Sequence, residues 1–164
     1  MPDYHRYHSP VQGEVKTYQS LPGDCYQVDP VALQSKVDNL TRNRRDHVVT
    51  ETREFGNVLF TAVGATDVGT WKRAPLLTVF SIHKKYHSAG TKINKRYELG
   101  IFQFGGSSII VAFQHRRIEF DDDLLRSSEQ KIQTSVEVGM SLGYATRHLQ
   151  DQFSPSMFLM TVPG

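Results

Sequence analysis

The stretch HVVTETREFGNVLFTAV, residues 47–63, decides how the rest of the chain is read. Val48 to Thr50 on one side and Val58 to Val63 on the other are rich in β-branched and aromatic residues, the composition of half-buried strands. Glu54-Phe55-Gly56 lies between them as a short connection that contains glycine. The stretch therefore predicts two strands, His47–Arg53 and Asn57–Val63, paired as a hairpin. Working outward, the same signature recurs. Gly13–Tyr18 alternates loosely, LPGD at 21–24 reads as a turn, and GATDVGTW at 64–71 reads as a glycine-spaced bend. Leu76–Ile82, Leu99–Phe104 and Ile109–Phe113 read as strands, and SPSMFLMTVPG at 154–164 as a packed terminal strand or a membrane-touching tip. Residues 133–145 return to strand-and-turn character. The polar stretch 29–45 carries at most a short helical turn. One clearer helix is predicted over Asp123–Lys131, with Asp121 to Asp123 favouring its N-terminus and Leu124 and Leu125 facing inward. Many short strands, frequent glycine and few helices indicate a mainly β, closed or sandwiched architecture.

A chain of 164 residues with 38% apolar content suits one domain with one core. The net charge of +2 is too small to argue for a nucleic-acid partner. RNRR at 42–45 reads as a solvated loop, with contact to an anionic membrane surface as the alternative. Cys25 is the only cysteine, so an intrachain disulfide and a CxxC metal knuckle are excluded, and it reads as a small buried hydrophobe. No apolar run approaches the length of a membrane span, and MPDYHRYH lacks the apolar centre of a signal peptide, so the sequence leaves the compartment undetermined between cytoplasmic and peripheral to a membrane. His83 and His87 lie in the lysine-rich stretch HKKYHSAGTKINKRYE at 83–98. His47, His115 and His148 stand beside basic residues, and all five read as solvent-facing.

Two short stretches carry candidate chemistry. In FGGSSII at 104–110, two glycines and two serines separate strand-like runs. A hairpin turn explains them. So does chemistry on the chain itself, because Ser107 could attack the Gly106 carbonyl if the bond is distorted and a base removes its proton. Glycine tolerates strained backbone and leaves that carbonyl unshielded. An N-to-O acyl shift would give an ester, elimination would leave dehydroalanine, and hydrolysis would yield a pyruvoyl group at a new N-terminus. The second stretch, DYHRYHSP at 3–10, carries His5 and His8. On a helix both would share a face; on a strand only one would point inward. No third ligand has convincing spacing, so no metal is expected.

Taken together, five segments resemble the phosphatidylserine decarboxylase family. DYHRYHSPVQGEV resembles its histidine segment, LPGD the next turn, FGNVLFTAVGATDVG a glycine-spaced stretch, ELGIFQFGGSSIIVAF the region of self-cleavage and LLRSSEQKIQTSVEVGMSLG the C-terminal segment. They stand in order from Asp3 to Gly143. The resemblance implies a barrel-sandwich-hybrid-like β-domain filling residues 1–164. It also implies cleavage between Gly106 and Ser107 into a β subunit, 1–106, and an α subunit, 107–164, that stay associated. Ser107 would become the pyruvoyl cofactor, whose ketone takes the substrate amine and accepts electrons as carbon dioxide leaves. His8 would activate Ser107 for cleavage, and His5 would serve the decarboxylation step. Where the family often has Leu-Gly-Ser-Thr, this chain has Phe104-Gly105-Gly106-Ser107-Ser108, close to a Gly-Gly-Ser-Thr branch, and Ser108 keeps the hydroxyl. The family pairs its base with an aspartate upstream of the histidine segment. Asp3 lies too close to His5 to be its substitute, so the chain is expected to be N-terminally truncated relative to the family. The implied substrate is phosphatidylserine, giving phosphatidylethanolamine, with peripheral membrane contact. The alternatives are a soluble aromatic amino-acid decarboxylase, tryptophan-like in substrate, and a non-catalytic member that binds lipid or a partner.

Overall fold

A computed structural model describes residues 5–28, 30–65, 80–102, 107–137, 139–146 and 156–161. The strands are β1 (Arg6–His8), β2 (Gly13–Leu21), β3 (Arg45–Thr52), β4 (Gly56–Val63), β5 (Phe80–Ile82), β6 (Lys92–Ile93), β7 (Glu98–Phe102), β8 (Ser108–Phe113), β9 (Ile118–Phe120), β10 (Gly143–Ala145) and β11 (Ser156–Thr161). The α-helices are short: α1 (Pro30–Leu33), α2 (Asn39–Arg42) and α3 (Asp122–Glu129). The protein is mainly β, as its sequence predicts.

The hairpin that decides the reading forms from β3 and β4, in register from Arg45 opposite Val63 to Thr52 opposite Gly56. Gly56 closes it in the left-handed region at φ +66°, where a side chain would be strained. The Thr52 hydroxyl donates to the Gly56 carbonyl at 3.0 Å and accepts the Phe55 N–H at 2.9 Å. Around this hairpin a six-stranded antiparallel sheet assembles in the order β11-β8-β4-β3-β2-β6. Strand alternation directs Val48, Val58, Phe60, Ala62, Ile109, Val111 and Phe113 into the core. A three-stranded sheet, β1-β7-β5, supplies the other side. Its Tyr7 ring meets Phe60 of the large sheet at 5.6 Å and Phe102 of its own sheet at 4.8 Å between centroids. Beyond the core, β9 pairs with β10, and Leu124 tucks α3 inward.

The structure corrects several readings. The strands that flank FGGSSII, β7 and β8, do not pair as a hairpin, because they belong to different sheets. Each strand buries apolar side chains of its own, Leu99 and Phe102 on β7 and Ile109 and Val111 on β8, and so is held in its own layer. Leu125 is 44% exposed, since an eight-residue helix lying on a surface buries only one narrow stripe. Cys25 is only half-buried. RNRR is no solvated loop: Asn43 is fully buried, and Arg45 already belongs to β3. His47 is half-buried with its ring nitrogen 2.7 Å from the Thr61 hydroxyl, and His87 stacks on Tyr18 at 3.7 Å. The predicted bend at 66–71, residues 76–79 of the next predicted strand, and His148 lie outside the described residues.

Candidate functional site

Ser107 stands at the entry to β8 and is 1% exposed. Its hydroxyl donates to the Val63 carbonyl at 2.5 Å. This contact follows from register. Ala62 lies opposite Ile109, so the end of β4 runs alongside the start of β8. Ser108 is fully buried, and its hydroxyl has no partner among the described residues. That leaves a hydrogen-bond donor unspent beside Ser107. Gly106 lies outside the described residues, so the geometry of the predicted scissile bond is not described.

The end of β4 is held from below by Asn43. Its amide donates to the carbonyls of Gly64 and Tyr26, both at 2.8 Å, and its own carbonyl accepts the Tyr26 N–H at 2.9 Å. The Gly64 N–H in turn donates to the Arg44 carbonyl at 2.7 Å. A buried amide satisfied on both sides fixes three pieces of backbone at once. Sequence reasoning missed this residue, because an asparagine between arginines carries the signature of a loop.

The histidine segment forms β1, a strand and not a helix, so His5 and His8 fall on opposite sides. While Tyr7 faces the core, His5 lies just before the strand and is half-buried. Its carbonyl accepts the Phe102 N–H at 2.6 Å, beside the point where the chain leaves β7 toward Ser107. His8 sits opposite Glu98, near the other end of β7. It donates Nδ1–H to the Arg96 carbonyl at 2.8 Å, because a carbonyl can only accept. This bond fixes the tautomer and leaves Nε2 as the basic nitrogen of the neutral ring. The structure thus buries Ser107 at the start of β8, sets the His5 backbone beside the end of β7, and ties the His8 ring to the Arg96 carbonyl.

Two carboxylates complete the surroundings. Glu98 accepts from Arg6 at 2.6 Å and from His83 Nε2 at 2.8 Å, and these bonds, Arg6 first, hold its carboxyl below the usual range. Asp46 is 2% exposed on the core side of β3, and one of its oxygens lacks a partner among the described residues. Burial, followed by the charge of Asp46, pushes the Tyr7 hydroxyl far above its ordinary range and keeps it neutral. Among the described residues no group of three histidine, cysteine or carboxylate side chains is placed to hold a metal, and no helix is long and apolar enough to cross a membrane.

The sequence that builds these elements has relatives among known proteins. The family described as phosphatidylserine decarboxylase matches residues 1–144. The chain belongs to the phosphatidylserine decarboxylase family. Among its relatives, phosphatidylserine decarboxylase proenzyme 2 of Komagataella phaffii is 40% identical over 90% of this chain and 14% of its own length. Proenzyme 2 of Oryza sativa subsp. japonica is 41% identical over 89% of this chain and 22% of its own. The phosphatidylserine decarboxylase proenzyme of Chlamydia muridarum is 36% identical over 86% and 43%. The chain therefore spans less than half the length of these relatives. No solved structure matches.

Proposed function

We propose that this phosphatidylserine decarboxylase family chain matures by cutting itself between Gly106 and Ser107 and then decarboxylates phosphatidylserine to phosphatidylethanolamine. The observation that carries the reading is the placement of Ser107: buried, hydrogen-bonded through its hydroxyl, and located where the chain crosses between sheets. In the cut, Ser107 Oγ attacks the Gly106 carbonyl while a histidine takes its proton, and the acyl group moves from nitrogen to oxygen. Loss of the Cα proton expels the Gly106 carboxylate and leaves dehydroalanine. Water then replaces its nitrogen, which leaves as ammonia, so residues 1–106 end in a carboxylate and 107–164 begin in a pyruvoyl group.

The surroundings of Ser107 fit such a group: Ser107 is buried from water, and the Ser108 hydroxyl is a donor with no partner among the described residues. That group supplies an electrophilic ketone and a sink for the electrons released with carbon dioxide. The protein's part is to exclude water, hold Ser107 against the Val63 carbonyl and deliver protons from histidine. His8 as the base for cleavage and His5 as the proton donor in decarboxylation is the assignment that the family resemblance supports. A specific observation favours the exchange of these roles, namely the Phe102–His5 backbone bond beside the segment that enters Ser107.

Intact mass and a denaturing gel test the reading. Two pieces meeting at residues 106 and 107 are expected, with Ser107→Ala remaining whole. Release of carbon dioxide from phosphatidylserine and not from tryptophan is expected of the cut protein. A wild-type chain that stays unbroken overturns self-maturation, and turnover of tryptophan alone overturns the lipid substrate.

A further inference from the structure

Five of the nineteen basic residues, and none of the seventeen acidic ones, fall between His83 and Tyr97, so the rest of the chain is acidic by three charges. Lys84, Lys85, Lys92, Lys95 and Arg96 are all exposed, and none of them makes an ion pair among the described residues. Nearby acids offset little of this charge. Glu14 lies opposite Lys92 across the β2–β6 pair, and Glu98 is engaged by Arg6 and His83.

The lobe is held rigidly. Tyr86 and Ile93 are buried beneath it, and the Gly90 N–H donates to the Val15 carbonyl at 2.8 Å. It is also tied to the histidine segment. The Ser9 N–H donates to the Tyr97 carbonyl at 2.9 Å, the Arg96 N–H to the Ser9 carbonyl at 2.8 Å, and His8 to the Arg96 carbonyl. Arg96 is held at φ 71°, a conformation that costs energy for a non-glycine residue and that these bonds maintain. Tyr97 is 54% exposed at the rim, an amphipathic side chain of the kind found at membrane interfaces.

We infer that this lysine-rich lobe is the face by which the protein meets an anionic lipid bilayer. The choice of a bilayer over another polyanion rests on the proposed lipid substrate. Charge complementarity supports the contact, since each lysine near an anionic bilayer strengthens binding and the effect is screened by salt. β7 then links the docked lobe to the segment that enters Ser107. The bilayer surface and the reaction site are thereby held in a fixed relation.

The test uses phosphatidylcholine vesicles with and without about one third phosphatidylglycerol, an anionic lipid that is not the proposed substrate, so binding is read independently of any decarboxylation. Wild type is expected to float with the anionic vesicles at low salt and to release them at high salt. Joint substitution of Lys84, Lys85, Lys92 and Lys95 by Gln is expected to weaken binding by roughly a thousandfold, about fivefold for each lysine. Replacement of the same four by Arg should preserve binding, which guards against a folding artefact. Removing four exposed charges elsewhere, at Lys36, Arg53, Arg126 and Lys131, should leave binding nearly intact. Equal loss from both neutral sets, failure of wild type to bind, or capture by RNA or an acidic peptide in place of vesicles overturns the inference. Retained vesicle binding by a protein that proves not to decarboxylate overturns the proposed activity alone.

Discussion

In the six-stranded sheet Ser107 is closed off from water, and its hydroxyl is committed to a backbone carbonyl. In the three-stranded sheet the charged pair Arg6–Glu98 lies on an outer face, with the Arg6 side chain 51% exposed. The two sheets meet through aromatic rings, Tyr7 on Phe60, yet they handle polarity in opposite ways. The large sheet buries the hydroxyls of Ser107 and Ser108. The small sheet carries the histidine segment and keeps charged side chains in reach of water. A reaction that begins on a hydroxyl and needs protons moved draws on both, so the junction between the sheets matters more than either sheet alone.

The sharpest way to break this contrast is through the histidines. If the side of β1 decides the role, His5→Gln slows self-cleavage by about 10²- to 10⁴-fold, the range usual for a lost general base, while His8→Gln still cleaves. Time-resolved gels of freshly translated chain measure it. The reverse result restores His8 as the cleavage base and shows that the outer side of β1 reaches Ser107.

Next in size is the core packing of the small sheet. Phe102 is fully buried against Tyr7, so Phe102→Ala is expected to cost about 3–5 kcal/mol in denaturant melts. Val31→Ala, at a site 82% exposed, is expected to stay within about 0.5 kcal/mol. Equal effects would mean that the Tyr7–Phe102 side of the small sheet is not part of the core.

The smallest effect belongs to Glu98. Its carboxyl is held below its ordinary value of 4.5, chiefly by Arg6 and then by His83, so the folded state favours the ionised form. The stabilisation is complete above the unfolded value and fades as pH falls through the lower folded one. Melts of wild type and Glu98→Gln should differ by a constant amount above about pH 5.5 and converge toward pH 3, by less than ~1 kcal/mol for so exposed a pair. A gap that widens in acid would overturn the assignment.

These regions also differ in how much of them could be read from the chain. The β3–β4 hairpin was legible because alternation, β-branched composition and a glycine turn all agree. The terminal strand and α3 were legible for similar local reasons. The separation of β7 from β8 was not, because a glycine pair between two strands looks the same whether the chain turns back or crosses to another layer. The fate of Asn43 was hidden too, since its three hydrogen bonds go to backbone distant in sequence. Asp46 left a faint signal: it occupies the inward register shared by Val48 and Thr50. For His5 and His8 the sequence set out the choice between one face and two, and only the strand geometry of β1 resolved it.

The crossing between β7 and β8 has a mechanical consequence. β8 is knitted on one edge to β4 and on the other to β11, whereas β7 is knitted only to β1 and β5. A cut before Ser107 would leave every one of those ladders intact. It would sever one covalent connection between the two sheets and leave the others, through residues 9–12, 64–79, 83–91 and 94–97. The freed piece, 107–164, would then be held to the rest without a covalent bond, by the β8–β4 ladder and by packing, with its new chain end at the entry to β8.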